Sequence, residues 1–217
     1  MSRSRVVGLA ALLLVVSLPL RAQEPEQQDR MAKLDIKTRG AVELLVDSAV
    51  AEGLPTQPLR SIALLGITRK ADGRQIVAAV RRELILLRTA RTALGRVDET
   101  ELTAAAAVLE AGAKPTQLAT FKNKQRGRSD LQAFTVWADL ITRGVPGEDA
   151  SSAITRLWDE GADDATFVSL WNNVQSDILR GLNPGTALQN RIREAPLRPP
   201  TTKGPQTPEG QENARSE

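Results

Sequence analysis

Apolar side chains recur every three to four residues throughout residues 32–194, and no segment in this region alternates apolar with polar residues. The first spacing places apolar residues on one face of an α-helix, whereas alternation would be typical of a half-buried strand. Alanine, leucine and arginine, which all favour helices, dominate the same region. The pattern therefore predicts an all-α domain over 32–194.

Glycines divide this domain into helices. Five of them follow a segment with helical spacing and precede an apolar residue: Gly53, Gly112, Gly144, Gly161 and Gly181. Glycine often ends a helix because it enters the left-handed conformation without a Cβ clash, and the next apolar residue packs back onto the last turn. We interpret these glycines as helix ends. A phosphate-binding loop would need a glycine-rich sequence with a lysine or a preceding strand, and neither occurs.

Polar residues mark the predicted helix starts. Asp72 is the predicted N-cap of a long helix, Gly73–Leu94. Asp98 and Glu101 predict a capping box, in which Asp98 accepts from the Glu101 amide while the Glu101 carboxylate reaches back. The stretch 129–132 predicts a second box.

The helix breaks suggest a repeat. They fall near residues 53, 71, 95, 112, 128, 144, 161 and 181, so two helices with their turns span roughly 33–37 residues, the size of stacked helical hairpins. We expect antiparallel hairpins in a short αα-solenoid or a compact bundle of about eight or nine helices, and we favour the solenoid.

A resemblance supports this fold class. The stretch "AEGLPTQPLRSIALLGITRKADGRQIVAAVRREL" and the turn Thr142–Pro146 resemble exported, uncharacterised, all-helical bacterial proteins with αα-repeat-like character. The resemblance covers about residues 34–194. It implies an all-helical fold and export, and it implies no activity.

The two ends of the chain differ from the domain. Residues 1–22 combine Arg3 and Arg5 with an uncharged apolar run and end on Ala22, a pattern typical of a cleaved secretory signal peptide. We expect a polar tether at 23–31 and a disordered, proline-rich tail at 195–217. The chain has no cysteine, so a lipid on an N-terminal cysteine and disulfides are both excluded. The expected product is periplasmic or secreted, with no stable membrane insertion after cleavage.

Charge is unevenly distributed. Cleavage would remove three arginines, lowering the 29 basic residues to 26 and matching the 26 acidic ones. Residues 60–96 hold nine basic and two acidic residues, whereas 139–177 hold eight acidic and two basic ones. We expect the two regions to attract each other within the fold. The balanced total argues against nucleic acid as a partner.

A basic stripe is the candidate binding site. Arg74, Arg81 and Arg88 recur every seven residues and share one helix face with Arg82 beside them. A second cluster consists of Lys122, Lys124, Arg126 and Arg128. The two groups could bind an anionic envelope polymer, a lipid headgroup or an acidic partner, although charges in such patterns more often form a solvated face.

Catalytic signals are weak. The chain has no histidine and no cysteine, so the usual Ser–His–Asp, thiolate and zinc sites are excluded, and we expect no cofactor and no metal. The densest acidic group is Asp159, Glu160, Asp163 and Asp164, whose positions suit helix capping better than catalysis. The tryptophans and phenylalanines all lie in the second half. We expect Trp158 to pack on Trp171, with an aromatic groove for a peptide or glycan as the alternative.

The combined pattern predicts an exported, non-enzymatic helical scaffold or interaction protein with an unknown macromolecular partner and an unknown oligomeric state. Two alternatives stay open. One is an envelope-polymer hydrolase that uses carboxylates, and the other is a chaperone-like binder of exported chains.

Overall fold

The computed structural model describes residues 31–122 and 129–194, and this part of the chain contains helices and no strand. The all-α prediction is confirmed. The predicted signal peptide, residues 23–30 of the predicted tether and the predicted tail lie outside the described residues. The nine described helices are α1 (Ile36–Ala51), α2 (Gln57–Thr68), α3 (Gly73–Leu94), α4 (Glu99–Ala111), α5 (Pro115–Lys122), α6 (Leu131–Thr142), α7 (Gly147–Asp159), α8 (Asp164–Leu179) and α9 (Pro184–Glu194).

The predicted glycine helix ends are confirmed. All five have positive φ, from 63° at Gly53 to 118° at Gly112. At Gly53 the glycine amide donates to the Val50 carbonyl, and the Leu54 amide donates to the Ala49 carbonyl at 2.9 Å. The same pair of bonds recurs at Gly112, Gly144, Gly161 and Gly181. These bonds satisfy carbonyls that the end of a helix leaves without a partner.

Helix α2 ends in the same way without a glycine. Lys70 has a φ of 54°, its amide donates to the Ile67 carbonyl, and the Ala71 amide donates to the Gly66 carbonyl at 3.0 Å. The sequence pattern predicted a break here but no left-handed residue, because lysine seldom adopts this conformation.

The predicted caps are partly confirmed. Asp72 accepts from the Gln75 amide at 2.9 Å, and the Gln75 side chain accepts from the Asp72 amide in return. Asp98 accepts from the Glu101 amide at 2.8 Å, as predicted. However, the Glu101 carboxylate is buried and accepts from the Asp130 amide at 2.9 Å, so it serves the start of α6 instead of its own helix.

The second predicted capping box, over residues 129–132, does not form. Helix α6 begins at Leu131, and its N-cap, Asp130, makes no side-chain capping bond. The Asp130 amide, at the start of α6, donates instead to the carboxylate of Glu101, a residue 29 positions away. Glu101 is buried against α6, so its carboxylate accepts from the amide that it contacts there and not from the start of its own helix.

The described helices share one hydrophobic core, which is consistent with a compact helical bundle. The main contacts join helices one or two apart along the chain, with α4 against α6 as the most extensive pair. Met31, predicted as the last residue of the tether, belongs to this core, and the first of the nine helices begins at Ile36, four residues after the predicted start of the domain. Asp35 fixes that start by accepting from the Thr38 amide at 2.9 Å.

Aromatic side chains fill the centre of the bundle. Phe121 lies 5.3 Å from Phe134 and 5.1 Å from Trp158, centroid to centroid, and Trp158 lies 6.3 Å from Phe167. The expected ring contact between Trp158 and Trp171 is not among the aromatic pairs of the described residues. Trp171 is half-buried at the edge of the core, and the Arg143 guanidinium lies 5.7 Å from its ring. These core rings are buried, so they line no groove.

Lys70→Gly is expected to raise the free energy of unfolding by about 1 kcal/mol, because a left-handed backbone costs an L-residue roughly 1–2 kcal/mol that glycine does not incur. Gly53→Ala is the matched control. A methyl group at Gly53 meets no other atom within 4 Å, so only the backbone conformation is disturbed, and stability should fall by a similar amount. Urea unfolding followed by circular dichroism measures both. An unchanged midpoint for Lys70→Gly would contradict the left-handed assignment.

Candidate functional site

Helices α1 and α3 lie side by side and run parallel. Gly73, the first residue of α3, packs so tightly on the first turn of α1 that an added Cβ would lie 1.9 Å from the Thr38 hydroxyl oxygen. Near the other ends, the Arg88 side chain donates to the carboxylate of Glu52, the C-cap of α1. The N-terminal ends of the two helices lie together and their C-terminal parts also lie together, so the two helices run parallel.

A cleft of ≈ 360 Å³ opens between these two helices at their N-terminal halves. Three exposed cations surround it: Lys37 from α1, and Arg74 and Arg81 from α3. Within the described part of the chain, none of the three forms an ion pair. The remaining lining is small or apolar: Thr38, Ala41, Gly73, Val77 and Ala78. We call this surface the α1–α3 groove.

The structure divides the predicted basic stripe. Arg74 and Arg81 lie together in the groove, as their spacing predicted. Arg82 is the next residue along the helix, so it projects about 100° away from Arg81 and does not line the cleft. Lys37 was missed by the sequence reasoning. It precedes Arg74 by 37 positions, and no local pattern reports that α1 packs beside α3.

Arg88 has an internal partner, which corrects its assignment to a free stripe. Its Nε donates to Glu52 Oε2 at 2.7 Å, and its Nη2 donates to the Ser48 hydroxyl at 2.9 Å. The bond from Arg88 lowers the pKa of the Glu52 carboxyl, against the opposing effect of desolvation. Arg88 therefore fastens the end of α1 to α3, beyond the residues that line the groove.

A second cleft, of ≈ 430 Å³, lies between α7 and α9. Asp149 and Arg193 both line it, as does Arg156, whose Nε donates to Glu160 at 2.8 Å. Its charges are mixed and partly neutralised. It therefore lacks the single-sign character of the α1–α3 groove.

The candidate catalytic acids do not meet in either cleft. Asp163 caps α8 by accepting from the Thr166 amide at 2.8 Å, Asp164 lies in the first turn, and Glu160 accepts from Arg156. Asp159 is exposed beside them. Among the described residues, no group of three or more acidic side chains is placed to hold a metal ion.

The expected attraction between the basic and acidic regions does not take the form of ion pairs. No ion pair between described residues joins 60–96 to 139–177. The acids of the second region have closer partners: Glu148 binds Lys114 at 2.9 Å, and Asp177 binds Arg191 at 2.6 Å. Of the second predicted cluster, Lys122 belongs to α5, while Lys124, Arg126 and Arg128 lie outside the described residues.

Glu83 is a buried acid on the core side of α3. Burial raises the pKa of its carboxyl, and the nearby Glu110 raises it further, while Arg82 acts in the opposite direction. Because Glu83 lies on the face opposite the groove, its charge does not neutralise the three groove cations.

Comparison with known proteins gives no relative: no family model, no curated protein and no solved structure matches this chain. None of the helices in residues 31–122 and 129–194 is both long and apolar enough to cross a membrane. The cations of the α1–α3 groove are therefore the feature that bears on function.

Asp177→Asn is expected to destabilise the fold in a pH-dependent way. The Asp177 carboxylate is buried and accepts from the Arg191 Nε at 2.6 Å and Nη2 at 2.7 Å, which with Arg180 lowers its pKa to about 2. A carboxyl with a lowered pKa stabilises the fold above its ordinary pKa of 3.8, and this stabilisation disappears as pH falls through about 2.

The urea midpoint of Asp177→Asn should therefore lie below that of the wild type at pH 7, and the two should converge as the pH falls towards 2. Asp47→Asn is the control, since Asp47 is exposed and forms no ion pair with the described residues. A constant difference across this pH range would show that the carboxylate charge is not what stabilises the contact between α8 and α9.

Proposed function

We propose that this chain is an exported, non-enzymatic helical interaction protein whose α1–α3 groove binds a negatively charged macromolecule of the cell envelope. One observation carries the proposal. Lys37, Arg74 and Arg81 surround one cleft, are exposed, and have no acidic partner among the described residues. Like charges held together repel each other, so an anionic partner relieves that repulsion on binding and is also attracted from a distance.

The groove suits a protein partner better than nucleic acid. The mature chain has no net charge once the segment 1–22 is removed. A protein that binds a phosphate backbone neutralises many phosphates along an extended basic surface. Three cations at one cleft form a compact patch, which fits a short acidic segment.

The two alternatives have less support. The hydrolase would use Asp159, Glu160, Asp163 and Asp164, of which Glu160 and Asp163 are engaged in an ion pair and a helix cap. A chaperone-like binder of unfolded chains would offer a broad apolar surface, whereas this groove is rimmed by charge.

Photo-crosslinking in the cell that produces the protein tests the proposal. A photoreactive residue replaces either Ala78, which lines the groove, or its exposed neighbour Ala79, which does not. We expect a crosslinked partner from position 78 and at least tenfold less from position 79, because the two side chains project about 100° apart.

Charge reversal supplies the matched control. Arg81→Glu should abolish the crosslink from position 78, and Arg82→Glu should leave it unchanged, since the two changes alter net charge equally on adjacent exposed residues. Equal crosslinking at 78 and 79, or equal sensitivity to both reversals, would contradict a partner in the groove.

Export is tested separately. The purified mature protein should begin at Gln23, because the expected cleavage follows Ala22. N-terminal sequencing and intact mass measure this directly. A protein that keeps residues 1–22 would contradict the signal peptide and, with it, the proposed location.

A further inference from the structure

We infer that the partner in the α1–α3 groove is an acidic amphipathic α-helix of another protein, about four turns long. This inference rests on the proposed function and adds the partner's structure and chemistry. It draws on two features besides the cations: exposed apolar side chains that continue the groove, and the groove's length.

Apolar side chains extend the groove beyond its cations. Leu44 follows Lys37 by seven residues on the same stripe of α1, and Ile85 follows Arg81 by four residues on α3. Leu44 is 71% exposed and Ile85 is 52% exposed. Contacts between the helices pair Thr38 with Gly73 and Glu52 with Arg88, offsets of 35 and 36, so Leu44 lies level with Ala79 and Val80, next to Arg81 along α3. An apolar strip thus runs beside the cations.

Helix α1 carries exposed apolar side chains among exposed charged ones. Ile36, Leu44 and Val50 are 81%, 71% and 62% exposed, and Lys37, Glu43 and Asp47 are exposed beside them. At 100° per residue, Leu44 lies on the stripe of Lys37, whereas Ile36 and Val50 lie on the side of α1 away from the groove. A partner in the groove therefore has to supply an apolar group for Leu44 and negative charge for the three cations.

The surface formed by the groove and its continuation along α3 has the length of a short helix. The groove itself covers Gly73 to Arg81 of α3, about 12 Å at 1.5 Å per residue, and Ile85 and Arg88 follow it along the helix. From Arg74 to Arg88, α3 rises about 21 Å, and a partner helix of about 14 residues spans that distance. Its apolar residues at i, i+3 or i+4, and i+7 would contact Leu44, Ile85 and Val77, and its carboxylates would pair with Lys37, Arg74 and Arg81.

A second copy of this chain fits less well. Its acids in 139–177 include Glu148, Glu160 and Asp177, which already bind Lys114, Arg156 and Arg191. A lipid surface or an anionic polymer would use the cations but would have no need of an apolar strip set between two helices.

Selection from a displayed library of random 14-residue peptides tests the inference on the purified mature protein. We expect the enriched peptides to combine acidic residues with apolar ones at helical spacing. The best of them should gain helical circular dichroism on binding. Sodium polyphosphate and phosphatidylglycerol vesicles are measured in parallel as the polymer and lipid arms.

Matched variants then separate the contribution of the Arg81 charge to peptide binding from that of the Leu44 side chain. Binding of the best peptide should weaken at least tenfold in Arg81→Glu and about tenfold in Leu44→Gln. It should change less than twofold in Arg82→Glu and in Leu179→Gln, a leucine that is 77% exposed on α8. All four positions are on the surface, and circular dichroism of each variant verifies that it is folded.

Failure of this inference is distinguishable from failure of the proposed function. If no peptide is enriched, if the enriched peptides are acidic without helical spacing, or if Leu44→Gln binds as the wild type does, the helical partner is wrong. Binding of polyphosphate or vesicles that depends on Arg81 but not on Leu44 would also contradict the helical partner. It would remain consistent with the proposed function, a negatively charged macromolecule in the groove. Absence of any crosslink from position 78 in the otherwise wild-type protein, or a crosslink that persists in Arg81→Glu, would overturn both.

Discussion

The fold depends on ending each helix abruptly. Where a helix ends at Gly53, Gly112, Gly144, Gly161 or Gly181, one left-handed residue turns the chain and lets two amides bond the last free carbonyls. The described helices are 8 to 22 residues long, and most of the stability of such helices in a protein comes from packing an apolar face and not from the helix itself. They pack their apolar faces together, and the abrupt turns allow each helix to fold back onto the shared core.

The functional surface follows from how the fold uses its charges. Many acids have structural tasks: Asp35, Asp72, Asp98 and Asp163 cap helices, while Glu52 and Asp177 fasten neighbouring helices through arginines. These carboxylates keep their charge, but none of them forms an ion pair with Lys37, Arg74 or Arg81. The three cations of the α1–α3 groove are therefore without an acidic partner among the described residues.

Burial decides what a local motif does. Asp98 and Glu101 have the spacing of a capping box, and the half that involves an exposed side chain, Asp98, forms as the spacing predicts. Glu101 faces inward, so its carboxylate bonds the Asp130 amide across the core. Lys70 shows the same limit for backbone conformation, because the packing of α2 on α3 imposes a left-handed residue where the sequence offers no glycine.

The sequence by itself determined the helices, most of their ends and two members of the groove, because these features depend on residues within one or two helical turns of each other. Arg74 and Arg81 share a face of α3 whatever surrounds it. Only the tertiary structure decided that Lys37 lines the same cleft and that Arg88 binds Glu52 instead of lining it. It also decided that Leu44 and Ile85 are exposed next to the cleft. The parallel contact of α1 with α3 brings these residues together, and it depends on the close fit of Gly73 against Thr38 across 35 positions of chain, beyond the reach of any periodic pattern.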